Sequence, residues 1–152
     1  MVASRGYSLQ NMVISLGERP ASMEESRELL LEGGAKVVQL ERVRMHGLEP
    51  VIYSIDVFPR DSLELSLESI DWSGSLLKVF QLHGKRVVSA TSQISATFLP
   101  ADRPAPLTAY AEAPWLLIVE TCYDERSQPL LYARLYHRAD IFSFDVLRRT
   151  EE

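Results

Sequence analysis

The sequence predicts an α+β domain, a central antiparallel sheet of about six strands with helices packed against it. Three observations predict it. Residues 37–61 read VVQLERVRMHGLEPVIYSIDVFPRD, two runs rich in Val, Ile, Leu and Tyr around a Gly-containing break, the pattern of a β-hairpin. Residues 115–149 hold further β-rich runs around the turn-forming DERSQ of Asp124 to Gln128. Elsewhere the apolar spacing becomes helical over residues 23–32 and 76–82, and both stretches run into glycine. With 152 residues, 46% of them hydrophobic, the chain suits one globular domain with a real core.

Residues 1–20 carry scattered apolar side chains without a sustained period, and read as a lead-in arm or interdomain linker with room for a short strand. Ser22, followed by Met23, Glu24 and Glu25, has the form of an N-cap with acids in the first turn. Leu29 and Leu30 supply an apolar face and Gly33-Gly34 a stop, so the helix is expected from Met23 to about Glu32. Residues 60–72 mix acids and leucines and are expected to cross the domain surface. A second helix follows, with Leu76, Leu77, Val79, Phe80 and Leu82 in helical spacing before Gly84. Residues 86–99 alternate small polar and apolar residues, so Ser89, Thr91, Gln93 and Ser95 share one strand face, either solvated or facing a ligand. Three prolines and LTAYAEAP then suggest a short helix before two or three long antiparallel strands from Trp115 onward.

The chemistry gathers on the first arm of the hairpin. Alternation places Val38, Leu40, Arg42 and Arg44 on one face of the strand. A guanidinium on a half-buried face costs several kcal/mol, on the order of a desolvated ion, unless an anion meets it. Arg42 and Arg44 are therefore candidates for gripping an anionic ligand. The competing reading is that they reach water or pair with Glu41, Glu49 or Asp56. Register decides what surrounds them. If His46 to Glu49 close the hairpin, Met45 faces Pro50 and the arginine face is completed by Val51, Tyr53, Ile55 and Val57; one residue of slip substitutes Ile52, Ser54, Asp56 and Phe58. Ser75, at the start of the second helix, is a further anion-binding candidate, where free N–H groups and the helix dipole favour negative charge, although serine there is commonly just a cap.

Charge and cysteine usage exclude several functions. A net charge of -5 argues against this chain holding nucleic acid by itself. Cys122 is the lone cysteine, and no signal peptide or apolar run of transmembrane length is present, so a reduced, cytoplasmic protein with no membrane partner is expected. His46, His83 and His137 lie in separate segments, and Cys122 lacks a companion at metal-ligand spacing. No nucleophile elbow, P-loop or dinucleotide fingerprint appears. The sequence therefore points to no metal, no cofactor and no catalytic residues.

The segment LERVRMHGLEPVIYSIDVFP resembles the hairpin that opens UTRA, the effector-binding domain of GntR-type bacterial transcription regulators of the HutC subfamily. The resemblance extends over roughly residues 20 to 150. Gly74-Ser75-Leu76 matches a Gly-Ser-Leu-Tyr motif, with Leu77 in place of the tyrosine. Tyr123, Asp124, Pro129, Tyr132, Arg138, Asp140 and Phe144 match a later pattern of strand, turn and strand. The resemblance implies a chorismate lyase-like fold over residues 21–152, in which the Arg-x-Arg pair and Ser75 surround the anionic group of an effector. Three positions depart from sugar-binding members: Leu131 stands where they carry a glutamate, Ser54 where another acid sits, and His137 where a tyrosine faces the ligand.

The function implied by resemblance is that of a sensor. A small anionic metabolite, phosphorylated or carboxylate and not an amino sugar, would bind Arg42, Arg44 and Ser75, with Ser54, Leu77, Leu131 and His137 around it. The domain would act as a homodimer, and would reach DNA only through an N-terminal winged helix-turn-helix domain that this sequence does not contain. Surplus apolar residues on Trp115 to Val119 are the sequence's own hint of dimerisation. Two other readings remain: a lyase-like enzyme acting on a small carboxylate, which rests on fold analogy alone, and a dimerisation module without a ligand.

Overall fold

In the computed structural model, which describes residues 9–150, six strands form a single antiparallel sheet. They are β1 (Gln10–Pro20), β2 (Lys36–His46), β3 (Glu49–Pro59), β4 (Ser89–Thr97), β5 (Trp115–Tyr123) and β6 (Pro129–Arg138), in spatial order β1-β2-β3-β6-β5-β4. The expected α+β class and strand number are therefore found. The expected lead-in arm is different: residues 1–8 lie outside the described residues, but from Gln10 onward the chain is a full edge strand paired with β2. Its apolar period is weak because an edge strand half exposed on both faces needs no continuous hydrophobic set.

The β2–β3 hairpin combines the two registers that the sequence allowed. His46 pairs with Glu49 and Met45 with Pro50 around Gly47 and Leu48, and Gly47 takes a φ of 62° that suits a residue without Cβ. The register then shifts, so that Arg44 pairs with Ile52 and Val51 is the extra residue of a β-bulge. One inserted residue exchanges the faces of β3. Ile52, Ser54, Asp56 and Phe58, the more polar set, therefore accompany the arginines.

Two short helices attach to this sheet. Helix α1 (Met23–Glu28) begins with a capping box, the Ser22 hydroxyl accepting from Glu25 N and the Glu25 carboxylate from Ser22 N. It ends four residues before the expected Glu32. Leu30 adopts φ 54° and Leu31 N donates to Ser26 O at 2.8 Å, a C-terminal lock that turns the chain so that Leu29 packs on Val37, Val57 and Tyr132. Burial of Leu29 outweighs the strain at Leu30. Helix α2 (Leu76–Leu82) matches its expected span and stops before Gly84, whose φ is 75°.

Each sheet face is covered in part, β4 being left exposed. On the arginine face, residues 60–82 do not merely cross the surface: Leu63, Leu67, Trp72, Leu76 and Phe80 pack into a core with Val38, Leu40, Phe58 and Leu131. On the other face α1 covers one end, while Leu99 and Leu107, flanking and within a 3-10 turn (Ala105–Tyr110), pack on Val43, Tyr53, Trp115 and Tyr136 at the other. Among the described residues after Arg138 no third strand forms; the chain turns back and buries Phe142 against Val51 and Ile52. Trp115 and Ile118 are buried in the domain's own core, while Leu116, Leu117 and Val119 of β5 stay partly exposed. No helix among the described residues is long and apolar enough to cross a membrane.

Candidate functional site

Register sets out the floor of a cavity on the arginine face. Across the strands, Leu40, Asp56, Ala133, Glu120 and Ser92 form one row; Arg42, Ser54, Leu135, Ile118 and Ile94 the next; and Arg44, Ile52, His137, Leu116 and Ala96 a third. The segment Ser73–Leu77 stands over this floor, Leu9 and Asn11 flank the β1 side, and the half-open space between them is about 470 Å³. That suits a small metabolite. Arg42, Arg44, Ser54, Ser75, Leu77, Leu131 and His137, the seven candidates from sequence, all line it. Ser89, Thr91, Gln93 and Ser95 do not, because they point to the opposite face of the edge strand β4.

The two arginines are not equivalent. Arg42 is 3% exposed and donates from Nη1 to the carbonyls of Trp72 and Gly74 at 3.2 and 2.8 Å, which fastens the overlying segment to the sheet. Its Nη2 lies 3.6 Å from Asp56 Oδ2, an ion pair too long for a hydrogen bond. Arg44 is half-buried and donates from Nε to Asn11 Oδ1 at 3.1 Å, and Asn11 Nδ2 in turn donates to Ser73 O. Its terminal nitrogens have no hydrogen-bond partner among the described residues. Burial and the neighbouring Arg42 lower its pKa from the ordinary guanidinium value, while Asp56 opposes the change. Arg44 is thus the cation with donors to spare, and Arg42 serves largely as a clasp.

The other candidates differ in what they offer. Ser75 is the N-cap of α2, with its hydroxyl accepting from Lys78 N at 3.3 Å. The hydroxyl proton remains available to donate. His137 is fully buried, edge-on to Phe142 and Phe144 with centroids 5.4 and 5.0 Å away. Burial pushes its pKa down to about 4, although the Leu135 and Leu116 backbones favour the charged form, so the ring is neutral at physiological pH. Leu77 and Leu131 contribute apolar wall, Leu131 from within the core.

Unmet hydrogen bonds concentrate here. Arg42 Nε, Ser54 Oγ and Asp56 Oδ2 are buried without a hydrogen-bond partner in the protein, and the ring nitrogens of His137 meet only the Leu135 and Leu116 backbones, outside good hydrogen-bond geometry; each belongs to a residue lining the cavity. Such atoms are rare in folded proteins because each forfeits its contact with water for nothing in return. Among the described residues only Arg103 Nε shares this condition elsewhere.

Sequence reasoning missed two residues of this site. From sequence Asp56 is a possible partner of an arginine or a neighbour in one of two registers, not a site residue in its own right, and Glu120 carries no such mark. The alternation of Leu116, Ile118, Glu120 and Cys122 along β5 puts an acid on an otherwise apolar face, and that was the available signal. Burial pushes the Asp56 pKa up to about 6 against the pull of Arg42 and Arg44, and Glu120 pushes it further. Cys122, beside Glu120, is 5% exposed, and burial together with the two carboxylates raises its thiol to about 12, so it is protonated and unreactive. No group of three His, Cys, Asp or Glu among the described residues is placed to hold a metal ion.

Fold and cavity together define the class: an α+β domain with a ligand-sized hollow between one sheet face and an overlying segment. Residues 4–143 match the model of the UTRA domain family, and the chain belongs to that family. Its fold is that of solved effector domains of bacterial regulators. The effector domain of PhnF from Mycobacterium smegmatis superposes with a TM-score of 0.87 at 22% identity, covering 97% of this chain and 91% of that one. A longer PhnF structure gives 0.86 at 22% identity over 97% of this chain, which spans 66% of the PhnF chain. A GntR-family transcriptional regulator from Enterococcus faecalis V583 gives 0.76 at 19% identity, covering 91% and 99% of the two chains. No curated protein matches the sequence.

Proposed function

We propose that this chain is the effector-sensing domain of a GntR-type transcription regulator of the HutC kind, and that a small anionic metabolite binds in the cavity over β2, β3 and β6. One observation carries the reading: a pair of cationic side chains and most of the buried polar atoms without a protein partner among the described residues belong to the lining of one half-open cavity. A phosphate or carboxylate at the free nitrogens of Arg44 would accept from them, with Ser54 and Ser75 as further donors. Charge-assisted bonds of this kind are about twice as strong as neutral ones.

Coupling to DNA depends on what holds the cavity closed. Arg42 grips the carbonyls of Trp72 and Gly74, and Asn11 links Arg44 to Ser73. A ligand drawn to Arg44 alters the same network, so the segment 72–77 and the β1 edge form the element it biases. The resulting shift can be no larger than the ligand's difference in affinity between the two states. DNA would be bound by an N-terminal winged helix-turn-helix domain in a cytoplasmic homodimer. The strand β4, exposed at eight of its nine residues, offers an open sheet edge for the second copy. No turnover of the ligand is part of this reading.

Calorimetry tests it. Inorganic phosphate, simple phosphomonoesters and short carboxylates are titrated into the protein and into Arg44→Ala, with Arg86→Ala, an exposed cation away from the cavity, as control. The expected result is saturable binding by at least one anion, weakened about tenfold or more by Arg44→Ala and unaffected by Arg86→Ala. Equal binding by all three proteins would remove the cavity from the account, and conversion of the ligand would favour the enzyme reading.

A further inference from the structure

The cavity is not simply positive. Two cations, Arg42 and Arg44, share it with two carboxylates, Asp56 and Glu120. These acids stand in the same row of the sheet on strands β3 and β5, separated by β6, where the residue between them is Ala133. Ala133 is buried and puts only a methyl group between the two carboxylates, both of which line the cavity. Neither acid is fully satisfied by the chain. Asp56 is 5% exposed with Oδ2 unbonded, and Glu120 meets only the Ser92 hydroxyl at 3.0 Å and the weakly donating Cys122 thiol at 3.9 Å. No cation lies within ion-pair distance of Glu120 among the described residues.

A purely anionic guest fits this arrangement poorly. Its charge would gain from Arg44 but face two buried or half-buried carboxylates across a small cavity partly shielded from solvent, where like charges repel more than in bulk water. Resting on the sensing role already proposed, we infer that the effector is a zwitterion, with its anionic head at Arg44 and a protonated amine between Asp56 and Glu120. Such a ligand supplies the donor that Asp56 Oδ2 lacks and a counter-charge for Glu120, while its head meets the spare donors of Arg44. A neutral hydroxyl in the same place would meet the hydrogen bond but not the paired charge. The elevated pKa of Asp56 agrees with a carboxylate awaiting a cation closer than Arg42.

Matched pairs of probes test this: O-phosphoethanolamine against ethyl phosphate, and 4-aminobutyrate against butyrate, each titrated by calorimetry at pH 7.5. The aminated member of at least one pair should bind about tenfold or more tightly than its amine-free partner, the scale of a desolvated charge pair. Which pair shows it tells whether the head is a phosphate or a carboxylate. Asp56→Asn and Glu120→Gln should each erase the preference, and by removing negative charge should strengthen ethyl phosphate or butyrate. A change that only loosened the fold would weaken all probes alike. Glu120 has no ion pair to lose, so Glu120→Gln carries the test if Asp56→Asn does not fold. Amine-free probes binding as tightly as aminated ones would overturn the zwitterion and leave the anion sensor standing. No binding by any probe would overturn both.

Discussion

Arg42 and Asp56 lie on adjacent strands, both at least 95% buried, with their charged groups 3.6 Å apart and no hydrogen bond between them. The distance is set from outside the pair. Two backbone carbonyls hold the guanidinium toward the overlying segment, and the sheet holds the carboxylate below it. Arg42 therefore has partners without Asp56, but Asp56 has no other cation as close. Arg42→Ala is expected to destabilise the domain by about 3–5 kcal/mol, the cost of stranding a buried charge. Asp56→Asn should cost less, and Arg42→Ala combined with Asp56→Asn should recover part of the Arg42→Ala loss. Urea denaturation of the three variants measures the cycle.

The pH dependence of stability should contain two opposing contributions from this cavity. Asp56 titrates at about 6 in the fold against 3.8 in the ordinary range, so the folded state holds the extra proton between those values and stability falls as pH rises through them. His137 titrates at about 4 against 6.5, so the unfolded state holds the extra proton and stability falls as pH drops from 6.5 toward 4. Asp56→Asn should therefore steepen the loss of stability on acidification, and His137→Phe should flatten it. Each difference is on the order of 2–3 kcal/mol across its window. Thermal or urea melts from pH 4 to 7 give both curves, and coincident curves for the two variants would contradict the assignment.

Phe142 is 4% exposed and stands edge-on to His137. Phe142→Ala should cost about 3–5 kcal/mol as a large-to-small core change. It should also admit water to the imidazole and move its titration up toward 6.5, the ordinary histidine value, which proton NMR of the ring tracks directly.

The Ser22 capping box is local, and its effect should be too. Ser22→Ala is expected to cost about 1 kcal/mol and to leave ligand binding unchanged, since α1 packs on the face of the sheet away from the cavity.

Cys122 gives a reporter that needs no substitution. Its thiol is buried at the cavity wall with a pKa near 12, so a thiol reagent should react slowly at pH 8 and at a normal rate only after unfolding. A ligand that fills the cavity should slow the native-state reaction further, and an unchanged rate would place it elsewhere.

Much of this fold was legible because strand and helix periods are local properties of the sequence. Val38 and Leu40, Leu76 and Phe80, and the DERSQ turn each announce their element from neighbours a few residues away. The early end of α1 was not legible, since a leucine in the left-handed region is justified only by what Leu29 buries. The arginines and Ser75 stood out as polar groups in apolar runs, supported by a family likeness. Their inequivalence did not, because Arg42 meets carbonyls some thirty residues on, at Trp72 and Gly74. Backbone acceptors leave no mark in side-chain pattern. Glu120 went unnoticed for a related reason: its significance lies in Asp56, two strands away across Ala133.

The Val51 bulge has an implication for how such a pocket diversifies. Deleting or adding a single residue near that hairpin loop would bring Tyr53, Ile55 and Val57 beneath the arginines and send Ser54 and Asp56 to the far side, with the strand's own spelling intact. A polar, charge-balanced chamber would become a greasy one in one genetic step. Length variation at this loop, more than point substitution, is where a change in the kind of molecule recognised would first be written.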